Sequence, residues 1–392
     1  MRMLVIANTH YWLDRLEQLA DDERSAMPNL RGALKALETL LRFPDAWTLT
    51  LTFTQALHPT MVRAAHWAEW EWLLHILLKW AQQRADLAAE ADLALKVGAI
   101  QQCRGNYPAA LASYRHGWRL ARWIASSATL ALAYFNLGDI YRRLGQFRRA
   151  ELLCRRALEL YHALNDARML AYVENALGLI FFDQRQWDDA LPHLQTAHAL
   201  FQQTRDAWGI TMTLQNLGVF YIRTGRLDAA ATHLEAALRQ CEAANDRGHI
   251  ATIQLDLGNL HRRQGRWQAA EQLYSAAEAL CQELGDYRNL ARVHNNLGML
   301  YVKTGNFEES ERCFARAIER WRAVEDVWNL ANSLGEMSQL YVAWGKHEQA
   351  QRCLDEEAPL IQGRETAPFQ SLQREWTERQ AELSDNAIFS TD

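Results

Sequence analysis

Asn136-Leu137-Gly138-Asp139-Ile140-Tyr141-Arg142-Arg143-Leu144-Gly145-Gln146-Phe147-Arg148-Arg149-Ala150, with Ala157 seven residues on, is the stretch that decides the fold, because its landmarks recur every 40 residues. Glycine returns at Gly98, Gly138, Gly178, Gly218, Gly258 and Gly298, and seven residues later at Gly105, Gly145, Gly225, Gly265, Gly305 and Gly345. Small residues follow at Ala110, Ala150, Ala190, Ala230, Ala270, Ser310 and Ala350, and again at Gly117, Ala157, Ala197, Ala237, Ala277 and Ala317. A fixed period of this length is the mark of a repeat array, so it is read before anything else. The first glycine and the small residues let helices approach closely; the second glycine can take the left-handed conformation that ends a helix. Leu137, Gly138 and Tyr141 share one helix face, and Ala150, Cys154 and Ala157 share a face of the next. The unit is therefore helix, turn, helix. Asp86, Asp166, Asp206, Asp246, Asp286 and Asp326 mark the unit boundaries, where a carboxylate caps free N–H groups at a helix start.

Composition agrees with a folded, water-exposed chain. Of 392 residues 49% are hydrophobic and 23% charged, with 42 Lys+Arg against 47 Asp+Glu, which excludes global disorder. The five-residue apolar run from Met3 to Ala7 is too short for a secretory core or a spanning helix, so a cytoplasmic protein without a membrane segment is expected. Six cysteines contain no Cys-x-x-Cys pair, and 241/281 and 313/353 are 40 apart, which makes them repeat positions and not a disulfide or metal framework.

The pattern Asn136-Leu137-Gly138, Tyr141, Gly145, Ala150, Ala157 resembles the tetratricopeptide (TPR) signature, over about 91–362. The resemblance implies an all-α, right-handed superhelical solenoid of about seven to eight helix-turn-helix units with helical caps. Against the common 34-residue unit, the six extra residues imply helices longer by about a turn. This variant is similar to the TPR arrays of Gα-binding Leu-Gly-Asn adaptors and to those trailing bacterial STAND-type NTPases. The expected division is 1–90, an N-terminal helical cap with a degenerate repeat; 91–362, the array, with units near 91–130, 131–170, 171–210, 211–250, 251–290, 291–330 and 331–362; and 363–392, a capping helix and tail. Local departures are Arg185 at the turn glycine, Pro192 inside a second helix, and Ser338 in the first-glycine series.

Outside the array the pattern is less regular. Residues 67–83 are in phase and form a second helix. Trp47 to Thr54 alternates with period two like a strand, whereas its place in the repeat asks for a helix, and helix is the reading adopted. Amphipathic segments at about 9–24 and 29–42 suit a cap, and Pro368 to about Leu383 suits a polar closing helix, with Asn386 to Asp392 frayed.

No phosphate loop, dinucleotide fingerprint or nucleophile elbow occurs in the chain, and no cofactor is implied. His347-Glu348 has Gln351 where a second zinc-binding histidine would have to lie, so no metal is assigned. His193 and His233 share a repeat position and are read as scaffold.

In stacked TPR units the first helices line the concave face, which makes their polar residues candidates for ligand contact. At one phase fall Asn136, Asn216, Asp256, Asn296 and Glu336, with Asn175 and Asn295 one residue earlier and Asn259 three after Asp256. The resemblance implies that such asparagines grip the backbone of an extended peptide, since an amide both donates and accepts. Seven residues on come Arg143, Arg223, Arg263 and Lys303, which would favour an acidic ligand. Residues 104–168 hold eleven arginines against four acids, whereas 305–392 hold nine basic against seventeen acidic residues, so charge is polarised along a chain whose net charge is −5. Arg115, Arg119, Arg142, Arg149 and Arg156 form a candidate partner patch, to which head-to-tail association of two copies is one alternative. Nucleic acid is disfavoured by a pI of 6.2 and by the absence of a recognised binding module. Trp67 shares its phase with Phe147, Trp187, Trp267 and Phe307, which start second helices and are expected to pack between units; Trp70 and Trp72 do not, and are candidates for an exposed contact.

The leading reading is a non-enzymatic protein-interaction scaffold of a bacterial sensing or regulatory system, binding a peptide or protein segment in the TPR groove. Two alternatives stand beside it. One is a peptide-gated response-regulator phosphatase of the Rap type, resembled in size and in its N-terminal helical region. The other is a partner-recognition arm working with a STAND NTPase or a caspase-like protease.

Overall fold

A computed structural model describes residues 2–18, 30–63, 67–324, 326–364 and 366–389. Among the described residues there are α-helices and no strand. Two helices, α1 (Arg2–Gln18) and α2 (Leu30–Leu40), precede the pairs α3 (Trp47–Arg63) with α4 (Trp67–Gln83), α5 (Leu87–Cys103) with α6 (Tyr107–Trp123), and α7 (Ser127–Arg143) with α8 (Phe147–Leu164). Next come α9 (Ala167–Asp183) with α10 (Trp187–Thr204), α11 (Ala207–Arg223) with α12 (Leu227–Ala243), and α13 (Arg247–Arg263) with α14 (Trp267–Leu284). The chain closes with α15 (Tyr287–Thr304) and α16 (Phe307–Ala323), α17 (Val327–Ala343) and α18 (His347–Ile361), and finally α19 (Ala367–Phe389). First helices start at 47, 87, 127 and so on to 327, and α19 starts one further step along at Ala367. The 40-residue period of the sequence is thus the period of the helices.

Two compact units divide the chain: Met1–Leu217 with Glu242–Asp246, and Gly218–Cys241 with Arg247–Asp392. In the first, α3, α5, α7 and α9 touch in succession, and α4, α6 and α8 pack against the first helix that follows each of them. In the second, α13, α15, α17 and α19 make the same inner row, with α14 and α16 outside it.

Within a pair the contact is unusually close. A Cβ on Gly98, Gly138, Gly178, Gly218, Gly258 or Gly298 would lie only 2.4–2.8 Å from the side chain 16 residues on, which is Tyr114, Cys154, Leu194, Leu234, Tyr274 or Phe314 in turn. Those six partners are buried. Hydrogen at Cα is therefore what lets the second helix lie on the first. At the turn between the two helices Gly145 has φ +70°, and Arg185 takes φ +60° where the glycine is replaced. A second left-handed series, Ala85, Ala125, Asn165, Arg205, Asn245 and Gly285, ends the second helices.

The boundary acids act as expected and do one thing more. Asp86, Asp166, Asp206, Asp286 and Asp326 each accept from the backbone N–H three residues on, at 2.9–3.2 Å. A cap of this kind contributes about 1 kcal/mol. In three of them the other carboxylate oxygen reaches back to the preceding first helix: Trp47 Nε1 donates to Asp86 at 2.9 Å, Arg168 Nε to Asp206 at 2.5 Å, and Arg288 pairs with Asp326 at 3.5 Å, whereas that of Asp286 accepts from the Asn289 amide at 2.7 Å. One acid thus starts a helix and sets its register against the neighbour.

The N-terminal segments differ in extent from the sequence reading. Helix α1 begins at Arg2, ahead of residue 9, and α2 spans Leu30–Leu40; residues 19–24 of the first amphipathic segment lie outside the described residues. Trp47 to Thr54 is helical despite its alternation. Phe53, Leu57 and Met61 form the buried stripe of α3, and Thr50 and Thr54 return their hydroxyls to the carbonyls four residues back at 3.0 and 2.7 Å. Of the aromatics that start second helices, Phe307 meets Trp344 across a repeat boundary at 5.8 Å, whereas Trp187 meets Phe182 of its own repeat at 5.4 Å. None of the helices is long and apolar enough to cross a membrane, among the described residues.

Helix α19 closes the second unit and runs to Phe389, past the point expected to fray; residues 390–392 lie outside the described residues. It is held by Arg379, whose guanidinium lies against the bare Cα of Gly335 and donates to Glu357 at 2.9 Å in a buried pair. Burial pushes the Glu357 carboxyl up to about 7, against the pull of Arg379 and with help from Glu375 and Glu336. A carboxyl raised in the folded state binds its proton more tightly there than in the unfolded chain. Its contribution to stability is therefore full below its ordinary value of 4.5 and is lost as pH rises to about 7. The melting temperature should fall between pH 5 and pH 8, and Glu357→Gln should flatten that dependence; an unchanged slope in the variant would assign the effect to another group.

Candidate functional site

The first helices carry most of the residues singled out in sequence, and several of these are taken up in contacts between helices. Asn175 of α9 is buried and accepts a hydrogen bond at 2.8 Å from the Asn216 amide of α11. Asn295 of α15 accepts one from Ser333 of α17 at 2.7 Å, and its own amide lies 3.8 Å from Met299 Sδ. Asn259 accepts from the Tyr274 hydroxyl at 2.8 Å, and buried Asp256 lies 3.9 Å from Arg292. These side chains join neighbouring helices. Asn136, on a first helix of the first unit, and Asn296, on a first helix of the second, are half-buried and have no hydrogen-bond partner among the described residues. Arg223, Arg263 and Lys303 are exposed at the ends of their helices.

A second set is consumed by a polar ladder across α5, α7 and α9. Asp139 accepts from Gln102 at 2.6 Å, from Arg142 at 3.1 Å and from Arg143 at 3.0 Å, and Arg142 reaches on to Asp183 at 2.7 Å. Tyr114 donates to Gln102 at 3.0 Å, which ties the ladder to the contact over Gly98. Burial alone would raise the Asp139 carboxyl, but Arg143 and Arg142 hold it well below the usual carboxylate range. Arg142, assigned from sequence to a partner patch, therefore belongs to this ladder, and Arg143 is bound to it from the exposed side. Asp139 carries no glycine or aromatic signature, so only its spacing of three and four from the two arginines pointed to it.

The remaining patch residues divide between two second helices. Arg115 and Arg119 are exposed on α6, and Arg149 and Arg156 on α8. Trp72 is 58% exposed. Trp70, expected to be available to a partner, is fully buried instead, and its indole N–H donates to His58 at 2.9 Å. The reason is the stripe Trp70, Leu73, Leu74, Leu77, Ala81, which is the apolar face of α4, whereas Trp72 lies on the opposite face. His193 and His233 are scaffold residues: His193 bonds Glu174 at 2.5 Å and stacks on Phe181, and His233 bonds the Ala229 carbonyl at 2.8 Å. The six cysteines are free thiols. No cluster of His, Cys, Asp and Glu suited to a metal occurs among the described residues.

Because Asp139 answers two arginines, its loss leaves a partly buried positive pair. Asp139→Asn should cost about 3 kcal/mol in chemical denaturation, near the lower end for breaking a buried ion pair. For a carboxyl lowered by folding, the contribution is full above its unfolded value of about 4 and is lost only as pH falls through the folded value. The cost should therefore be constant from pH 6 to 8 and shrink in acid.

Comparison with known proteins places this geometry. Family profiles described as tetratricopeptide repeat match residues 131–163, 168–243, 209–283 and 289–359, together more than half of the chain. No curated protein matches the sequence. Among solved structures, a Rap protein complexed with competence and sporulation factor is 15% identical, with 96% of this chain and 99% of that one covered, at a TM-score of 0.66. The apo quorum sensor NprR from B. thuringiensis is 11% identical over 91% and 98% of the two chains, at 0.59. A STAND protein with a tetratricopeptide repeat sensor, from Pyrococcus horikoshii, is 13% identical at 0.57; 90% of this chain aligns to 55% of that one. At these identities the likeness concerns the fold. The family profiles, the paired helices and their 40-residue step agree, and the chain belongs to the tetratricopeptide repeat family of protein-interaction scaffolds.

Proposed function

We propose that this protein is a non-enzymatic regulator, of a bacterial signalling system, that binds an extended peptide or protein segment on its first helices. The observation that carries the reading is the recurrence of amides at one phase of the first helices, with Asn136 in the first unit and Asn296 in the second each left without a partner. An amide at this place satisfies both the N–H and the C=O of a passing backbone, which binds a strand without reading its sequence. Arg263 and Lys303, exposed on the second unit, would add a preference for acidic side chains. The Rap neighbour solved with competence and sporulation factor and the quorum sensor NprR support a ligand-responsive role. The fixed pairs Asn175–Asn216 and Asn295–Ser333 would hold adjacent helices at a set spacing for that ligand.

The test is retention of peptides, identified by mass spectrometry, from the host's low-molecular-weight extract on immobilised full-length protein. Specific peptides should be retained, and Asn136→Ala or Asn296→Ala, each with unchanged circular dichroism, should weaken binding about fivefold, the value of one lost hydrogen bond. Retention of nothing, or retention indifferent to both substitutions, would overturn the reading. Accelerated loss of phosphate from a phosphorylated receiver domain in the presence of the protein would overturn its non-enzymatic part.

A further inference from the structure

The second helices of the first unit carry a feature that the peptide-binding row does not use. On α6, Arg115, Trp118, Arg119 and Arg122 stand at i, i+3, i+4 and i+7, and on α8, Arg149, Leu152, Leu153 and Arg156 repeat that spacing, so each set forms one stripe. Arg115, Trp118, Arg149, Leu152 and Leu153 line an open cleft of about 270 Å³ whose floor is Leu137 and Tyr141 of α7. Two apolar positions here are conspicuously open to water: Leu152 is 55% and Trp123, at the end of α6, 81% exposed.

The arginines around this cleft are free of carboxylates yet held in place. Arg115 donates to the Tyr141 hydroxyl at 2.7 Å, and Arg149 lies over the Tyr141 ring at 5.9 Å. Arg122 lies over Trp118 at 5.7 Å and Arg156 over Tyr134 at 6.0 Å. Among the described residues none of these four, nor Arg119, is paired with an acid. Their order is the more telling because the fold does not ask for it. One repeat and more along the chain, the position of Arg149 is Asp189, Ala229, Ala269 and Glu309, and that of Leu152 is Pro192, Thr232, Gln272 and Arg312. A scaffold requirement would return every 40 residues; this arrangement occurs in one place.

We infer that the cleft between α6 and α8 is a second docking site, on the outer side of the first unit, for an acidic protein segment that inserts one bulky apolar side chain onto Leu137, Leu152 and Leu153. The charge of the rim selects carboxylates: Arg115, bonded to the Tyr141 hydroxyl, and Arg149, bonded to the Gln146 side chain at 2.9 Å, are already ordered and, with Arg119, Arg122 and Arg156, have no carboxylate partner, so their remaining N–H groups can pair with one. The apolar floor selects a side chain, and the volume of the cleft suits one large residue and not an extended chain. That floor is also what separates a protein segment from nucleic acid, which would ask for a continuous phosphate track.

Selection of a random peptide library displayed on phage against the immobilised full chain tests this directly. Selected peptides should share one Leu, Phe or Trp flanked by Asp or Glu. Fluorescein-labelled versions should bind at least about tenfold more weakly to Arg119→Glu/Arg156→Glu, and also to Leu152→Ser, an exposed position that leaves the fold intact. Asn136→Ala should leave this binding unchanged, which separates the site from the first-helix row. Neutral or basic selected peptides, or equal affinity in both cleft variants, would overturn the inference. Binding of an oligothymidylate or oligouridylate probe lost in Arg119→Glu/Arg156→Glu would reassign the patch to nucleic acid. Salt-sensitive dimers of the wild type, absent from the same variant in analytical ultracentrifugation, would reassign it to a second copy.

Discussion

The close approach of two helices at a bare Cα is the constraint from which the rest of this structure follows. In six helix pairs, α5–α6 to α15–α16, a buried side chain of the second helix lies directly on a glycine of the first, 16 residues earlier, at a distance no Cβ would permit. Packing at this density fixes the separation and rotation of the pair. Once the pair is fixed, the first helices must stack on one side and the second helices on the other, and the period of the glycine becomes the period of both faces. The terminal pairs depart from it: His58 of α3 stands at the glycine phase and accepts from Trp70, whereas Ser338 of α17 returns its hydroxyl to the Gly335 carbonyl at 2.9 Å, and Gly335 receives the guanidinium of Arg379 from α19.

Much of this was legible in the sequence because glycine and aspartate signal by what they lack or offer in the backbone. The turn glycines and the boundary acids could be placed from spacing alone. The partner over each glycine could not, since Tyr114, Cys154 and Leu194 share nothing but position. Nor could the left-handed end of each second helix, where Ala85, Ala125, Asn165 and Arg205 carry no common residue type and the conformation is imposed by the helices on either side. Trp47 to Thr54 shows local preference overruled in the same way, as the buried stripe of α3 requires a helix.

The candidate sites were less legible for a different reason: a polar residue can face a ligand or a neighbouring helix, and sequence does not tell which. Asn175, Asn216 and Arg142 are spent inside the protein, while Asn136 and Asn296, of the same type and phase as Asn216, are not. Trp70 and Trp72, two residues apart, fall on opposite faces of α4 and have opposite fates. The arginine stripes of α6 and α8 stood in the sequence at helical spacing, but only the cleft between them shows that they face each other.

The most direct test of the central contact is the stability of Gly258→Ala against that of Gly265→Ala. A Cβ at 258 would lie 2.4 Å from the Tyr274 ring inside a helix, where intrinsic propensity alone would make alanine stabilising by about 1 kcal/mol. At 265 the space is open and only the positive φ of +73° opposes it, at a cost of roughly 1–2 kcal/mol. The close-contact account predicts that Gly258→Ala is destabilised by about 1–3 kcal/mol despite its better helix propensity. A variant as stable as the wild type, or more stable, would contradict it.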